Sequence, residues 1–118
     1  DRFVAEPPKP LRSLGWSSPT AETIREGMRR VIHAPDGTGK RAKVADDLEM
    51  GGKTGTAEFD IGGDATKKWG WMMVFAPYDD PRYAVAMLIE DAESGGRTVA
   101  PKIRGLMSGI FGRGANGE

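Results

Sequence analysis

The sequence contains no cysteine, a single histidine and no excess of either charge. Without cysteine there is neither a disulfide framework nor a thiol nucleophile; the lack fits an extracytoplasmic enzyme that avoids stray thiols, and many cytosolic domains share it. Seventeen Lys and Arg balance seventeen Asp and Glu, so no basic footprint calls for nucleic acid or an acidic membrane surface. No apolar run approaches the roughly 18–20 residues that cross a bilayer, and Asp1 begins no signal peptide. Any targeting or anchoring segment is therefore expected outside this chain. What remains is room for one small core: 118 residues, 38% apolar and 29% charged, a globular rather than a disordered balance.

Glycine is the abundant residue, at seventeen, gathered around Gly51–Gly55, Gly62–Gly63, Gly95–Gly96 and the tail. This clustering, without a three-residue period, implies tight turns and close backbone approaches rather than collagen. Residues 1–17 hold three of the eight prolines and read as an extended lead-in, with Leu11, Leu14 and Trp16 as candidates for anchoring it to a core. Ser18-Pro19 then resembles a helix start. Ala21, Ile24, Met28, Val31 and Ile32 follow at helical spacing, with Arg25, Arg29 and Arg30 read as a solvated face, so a helix is predicted over 19–33. Gly37–Asp47 reads as a surface loop, Met50–Phe59 as a strand and Asp60–Lys68 as a connection. Trp69–Ala76 and Tyr83–Ile89 are apolar on both alternating faces, which predicts central strands covered on both sides. The turn-forming Pro77–Pro81 between them is too short for a parallel crossover, so the pair is an antiparallel hairpin. Val99, Ile103, Leu106, Met107, Ile110 and Phe111 form the stripe of a second helix ended by Gly112, with 112–118 a frayed tail.

The order helix, strand, strand, strand, helix specifies an α+β fold, an antiparallel meander with helices on its faces. The Tyr83–Ile89 strand has an apolar outer edge and no partner for it. Such an edge predicts either self-association or a larger sheet completed by strands elsewhere in a parent polypeptide, and the second is favoured.

Reactive side chains are concentrated in Gly51-Gly52-Lys53-Thr54-Gly55-Thr56-Ala57-Glu58-Phe59. A phosphate-binding loop would need Gly-x-x-x-x-Gly-Lys-Thr ahead of a helix. Asp47 stands where the first glycine belongs, and the residues after Thr54 suit a strand. The pair Gly39-Lys40 fares no better, with Ala34 five residues before and Arg41 after. As a cleft-edge strand the segment makes chemical sense. Lys53 supplies a cation, Gly55 removes a side chain where a ligand backbone must approach, and Thr54 and Thr56 offer hydroxyls for a carboxylate. The Thr56 N–H, if the edge faces a substrate, could stabilise an acyl-transfer oxyanion. The tetrapeptide alone is equally compatible with a polar strand end.

Other candidates carry less. His33 ends the first predicted helix, where the dipole favours a cation, and reads as a cap or surface residue. Asp79-Asp80 and Glu90-Asp91 read as turn residues, because no Asp-x-Asp-x-Asp-Gly spacing surrounds them. Trp69 and Trp71 share a strand face and are assigned to core packing. No cofactor or metal is expected.

Lys53-Thr54-Gly55 resembles the third motif of the penicillin-recognising serine enzymes, and the likeness extends in order over residues 18–111. Gly27–Val31 with Gly37-Thr38-Gly39 resembles the helix and loop ahead of that motif. Gly52–Glu58 resembles the family's Gly-Lys-Thr-Gly-Thr-Ala-Gln/Glu. Trp71, Phe75-Ala76-Pro77, Asp80-Pro81 and Tyr83–Ala86 are similar to the strand pair that follows, and Gly95-Gly96 with Ala100–Ile103 to the start of the last helix. The pattern is most similar to class B transpeptidases, especially the elongation-type penicillin-binding protein 2. Trp69-Gly70-Trp71 departs from it, since elongation enzymes often carry a histidine before the tryptophan, and Met72-Met73 is also unusual.

The resemblance implies a C-terminal portion (1–118) of a transpeptidase domain whose complete sheet has five strands. No serine here begins Ser-x-x-Lys, and the only asparagine, Asn116, does not complete Ser-x-Asn. Nucleophile, base and proton shuttle are therefore expected in the remainder of the domain, and the chain alone is expected to be inactive. The resemblance further implies that Lys53 and Thr56 act in catalysis, that Lys53, Thr54, Gly55 and Thr56 bind substrate, and that the partners are peptidoglycan stem peptides and β-lactams at the periplasmic face of the inner membrane. A β-lactam sensor or serine hydrolase of the same fold, and a non-catalytic module that recruits another chain along its strand edge, are the alternatives.

Overall fold

Ser17 accepts a hydrogen bond from the Thr20 N–H, and Pro19 follows in the first turn, so the first helix starts within a residue of its predicted boundary. The computed structural model describes residues 9–63 and 66–113. It contains α1 (Ser18–His33), β1 (Gly51–Asp60), β2 (Thr66–Ala76), β3 (Tyr83–Glu90) and α2 (Ala100–Ile110), the expected order. The strands form one antiparallel sheet in the order β1-β2-β3. Each of the two outer strands keeps one edge without a strand partner among the described residues.

Antiparallel partners share a face, and the register Gly52↔Val74, Thr54↔Met72, Val74↔Val85 and Met72↔Met87 defines the inner one. Met72, Val74 and Ala76 are buried there with Ile32 of α1, Leu48 and Met50 before β1, and Val99, Ala100, Ile103 and Met107 at and within α2. Val85, Met87 and Ile89 pack against this core. Tyr83 meets Phe111 edge to face at 5.6 Å, closing the core at the start of β3.

The opposite face departs from expectation. Trp71, Met73 and Leu88 are 40%, 50% and 52% exposed, although both faces of these strands were expected to be covered. The physical reason is that the buried side chains of both helices converge on the Met72–Val74–Ala76 side, so no layer remains for the other. Trp69 and Trp71 are not core residues of this chain. Trp69 is half-buried with its ring edge to face with Phe59 at 5.1 Å, and the Trp71 ring lies over Gly55.

Two connections are more ordered than their composition suggested. The expected surface loop contains a 3₁₀ turn, Lys40–Ala42, with Ala42 fully buried and the turn packed against α2. A π-turn, Gly95–Val99, leads into α2, its Ser94 side chain accepting the Arg97 N–H at 3.1 Å. Arg25 and Arg29 are also not a purely solvated face. Arg25 donates to the Tyr78 carbonyl and lies 4.9 Å from the centre of the Tyr78 ring, while Arg29 bonds Glu49. They fasten α1 to the entry of β1 and to the β2–β3 loop.

Ile24, expected on the buried stripe, is 41% exposed, because α1 instead turns Ala21, Arg25, Met28, Arg29 and Ile32 inward. Leu11, Leu14 and Trp16 are exposed rather than anchored, with no regular structure over residues 9–17. Gly112, at φ 64°, follows the end of α2. The rest of the expected lead-in (1–8) and tail (114–118) lies outside the described residues.

Ile103 is fully buried in the core and Leu106 on the same helix is 42% exposed. Ile103→Ala is therefore expected to destabilise the chain by about 2–5 kcal/mol, and Leu106→Ala by less than about 1 kcal/mol. Urea unfolding midpoints compare them directly; equal shifts would contradict the placement of the core.

Candidate active site

The β1–β2 register divides the Lys-Thr-Gly-Thr segment between two sides. Lys53, opposite Met73, and Gly55, opposite Trp71, belong to the outer face; Thr54, opposite Met72, and Thr56, opposite Gly70, belong to the inner one. The sheet therefore does not bring Lys53 and the two threonines into one cavity. Lys53 borders an apolar hollow with Trp71, Met73, Ala86 and Leu88, and its Nζ donates to the Thr54 carbonyl at 2.7 Å. No carboxylate pairs with it among the described residues. Lysine and threonines share only the open edge of β1, where a partner could meet both.

Glycine spacing makes that edge accessible and also anchors its neighbours. A Cβ on Gly55 would stand 2.2 Å from Trp71 Cε2, so the indole occupies the space a side chain would take. From the other direction, a Cβ on Gly95 would stand 2.7 Å from the Gly55 carbonyl oxygen and 2.2 Å from that of Trp71. Gly55 is thus packed from both sides, and the π-turn can sit directly on the strand backbone.

Thr54 and Thr56 open into a cavity of about 450 Å³. Its walls include Thr38, Lys40 and Arg41 from the loop and 3₁₀ turn after α1, and Ser94, Gly96 and Arg97 from the π-turn before α2. Thr38 Oγ1 and Thr54 Oγ1 are hydrogen-bonded at 2.8 Å, and Thr56 Oγ1 lies 3.5 Å from the Gly95 N–H. Hydroxyls and cations, with no carboxylate in the lining, give this cavity a chemistry suited to an anion. Thr38, Lys40, Arg41, Ser94 and Arg97 were not singled out in the sequence as site residues. The signal was nonetheless present, because Gly37-Thr38-Gly39 and Gly95-Gly96 flank the strand motif in the pattern quoted above.

Behind β1, His33 takes a role different from a cationic cap. Its Nε2 accepts the Met50 N–H at 3.0 Å, immediately before the strand begins. Burial, reinforced by Lys43 and Arg29 and opposed by Glu49 and Asp46, lowers its pKa below the usual histidine value, favouring the neutral acceptor. Glu49 is held below the usual carboxylate range by its bond to Arg29.

Residues 2–108 match the family described as the penicillin binding protein transpeptidase domain. The chain belongs to that family. It is 30% identical over 97 residues to the peptidoglycan D,D-transpeptidase MrdA of Haemophilus influenzae, covering 73% of this chain and 15% of that protein. It is 34% identical over 73 residues to the peptidoglycan D,D-transpeptidase PbpA of Mycolicibacterium smegmatis, covering 58% of this chain and 15% of the relative. Among solved structures, Pseudomonas aeruginosa PBP2 superposes with a TM-score of 0.72 and 26% identity, over 90% of this chain and 23% of that one. The chain thus spans only a small part of its relatives, and its three strands are part of a larger sheet fold.

Two outcomes follow from the packing behind β1. Gly55→Ala is expected to cost about 1–3 kcal/mol by forcing the indole aside, and Trp71→Ala should remove most of that penalty; a double-mutant cycle showing additive effects would contradict the contact. For His33, the folded pKa lies below the unfolded value of about 6.5, so the unfolded chain takes up the proton first as pH falls. Stability is therefore complete above about pH 6.5 and declines from there toward the lowered folded value. Melting temperatures measured from pH 8 to pH 5 should show this decline in the wild type and a flatter profile in His33→Gln.

Proposed function

We propose that this chain is the third-motif wall of a serine D,D-transpeptidase active site, completed by a remainder of the domain that carries the nucleophile. One observation supports the reading above all: Thr54 and Thr56 open into a cation-lined cleft on a strand whose outer edge has no strand partner among the described residues, where a peptide ending in a carboxylate can lie along β1.

In this reading the serine of the remainder attacks the carbonyl of the D-Ala-D-Ala bond in a peptidoglycan stem peptide. The Thr54 and Thr56 hydroxyls donate to the terminal carboxylate, holding the scissile carbonyl within reach of the serine. The Thr56 N–H donates to the oxygen that becomes negative in the tetrahedral intermediate, an interaction stronger in the transition state than in the ground state. Collapse expels the terminal D-alanine and leaves an acyl-enzyme, which the amine of a second stem peptide resolves as the cross-link. β-Lactams present the same carboxylate beside a reactive amide and acylate the same serine.

Lys53 acts from the other side of the strand. Its ammonium has no carboxylate partner among the described residues, and it is available to the serine motifs of the remainder, where a cation lowers the cost of moving the serine proton. The reading places the parent outside the cytoplasm, held by a segment beyond this chain. The isolated chain, lacking Ser-x-x-Lys and Ser-x-Asn, is inactive.

A fluorescent penicillin tests these assignments. The parent protein should be labelled covalently, the isolated chain should not, and Lys53→Ala in the parent should slow labelling by about 10²-fold or more, the scale of removing one electrostatic stabiliser. Labelling of the isolated chain would show that its nucleophile lies within it, and unaltered labelling of Lys53→Ala would remove Lys53 from the site. A parent that labels but never releases D-alanine from stem peptides would be a β-lactam sensor.

A further inference from the structure

Met50 is fully buried one position ahead of β1, and its N–H donates to Nε2 of His33 at 3.0 Å. A buried backbone N–H without an acceptor is destabilising, so the imidazole nitrogen satisfies a group that water does not reach. His33 is the last residue of α1 and the only histidine in the chain. For Nε2 to accept, the ring must be neutral with its proton on Nδ1. Protonation would set an N–H against the Met50 N–H and leave both donors unmatched.

The place of this contact along the chain gives it a bearing on the chemistry. Gly51 and Gly52 alone separate Met50 from Lys53, and neither has a side chain to anchor the strand. Ahead of the first ladder pair, Gly51↔Phe75, the entry of β1 is held by three attachments. The Glu49 carbonyl accepts the Tyr78 N–H at 2.9 Å, the Glu49 carboxylate accepts from Arg29, and the Met50 N–H donates to His33. Of these three, only the bond to His33 is broken by a proton between pH 5 and pH 7, since Glu49 titrates at lower pH and Arg29 holds it lower still. The charges that face the imidazole come from α1 and from the segment that leads to β1. Arg29 and Lys43 oppose a positive ring, Glu49 and Asp46 favour one, and burial is the largest influence. Both carboxylates are already engaged, Glu49 by Arg29 and Asp46 by Lys43 at 2.6 Å.

We propose that neutral His33 is a positioning residue for the third-motif strand: its bond to Met50 holds the entry of β1, and with it Lys53, Thr54 and Thr56, in the geometry that acylation requires. Protonation of His33 releases that entry while the core beneath the sheet stays folded, so acylation of the parent slows in acid before the fold is lost. The proposal rests on the transpeptidase reading above and adds a pH response to it. His33 acts through the strand backbone rather than on substrate. A local loosening suffices, because a displacement of about 1 Å at a catalytic group costs on the order of 10²-fold in rate.

The test is the rate at which a fluorescent penicillin labels the full-length parent from pH 8 to pH 4.5, with circular dichroism reporting the fold at each pH. The wild type is expected to lose about tenfold or more in rate along a one-proton curve whose midpoint lies below about pH 6.5, over a range in which the dichroism is unchanged. His33→Leu fills a similar volume without an acceptor and should label about tenfold or more slowly even at pH 8. His33→Gln offers an amide oxygen in place of Nε2; it should restore rapid labelling at pH 8 and lack the wild-type decline in acid. An acid decline that persists in His33→Gln overturns the proposal, because it then belongs to other groups. A rate that falls only where the dichroism falls overturns it too, as does His33→Leu labelling at wild-type speed. If His33→Leu does not fold, the wild-type and His33→Gln profiles still decide. A parent that is labelled with one pH profile in wild type and His33→Gln loses only the role of His33, whereas a parent that penicillin labels at no pH loses the transpeptidase assignment itself.

Discussion

The pairing of β1 with β2 is the constraint on which the rest of the chain depends. It sets Gly51 against Phe75 and Gly55 against Trp71 on one face, and Gly52 against Val74 and Thr56 against Gly70 on the other. At each of these positions a glycine gives way to a bulky neighbour, to the π-turn or, at Gly52, to Ile32. A one-residue slip would exchange every side chain between faces, sending Lys53 inward and the threonines outward. Burial of Met72 and Val74 at 0% and 2% exposure makes such a slip costly, so packing of the core holds the chemistry of the edge in register.

The same register explains why the motif has two sides. Thr54 and Thr56 share the core face but lie beyond its apolar part, where the loop after α1 and the turn before α2 meet. Lys53 faces the exposed Trp71–Met73–Leu88 surface. A strand is well suited to this, since consecutive residues point in opposite directions while the edge between them is open to one ligand. His33 belongs to the support of that edge. By accepting the Met50 N–H, it gives a hydrogen-bond partner to a fully buried residue one position ahead of the motif.

Much of this was legible in the sequence, for identifiable reasons. The five elements follow from strong local signals: Ser18-Pro19 at a helix start (the cap itself is Ser17), alternating runs in β2 and β3, and a proline-flanked turn between them. The family and the cleft-edge strand were readable because Gly52–Glu58 and its flanking glycines keep a fixed order. What escaped depended on long-range packing. Periodicity placed Ile24 inward, but the contacts of Arg25 with Tyr78 and of Arg29 with Glu49 rotate α1 away from it. Hydropathy made Trp71 a core residue, and only the three-dimensional arrangement shows both helices contributing to the other face. Arg97 is far along the chain from the adjacent Lys40 and Arg41, and beyond the flanking glycine motifs nothing local announces that two separate turns bring them to one cavity.

The central claim is that the open edge of β1 receives a substrate carboxylate between Thr54 and Thr56. The most direct measurement is a crystal structure of the full-length parent acylated by a β-lactam. The ligand carboxylate should lie about 2.6–3.0 Å from the Thr54 and Thr56 hydroxyls, with the acyl oxygen directed at the Thr56 N–H. A ligand bound with its carboxylate elsewhere and the β1 edge unoccupied would contradict the account.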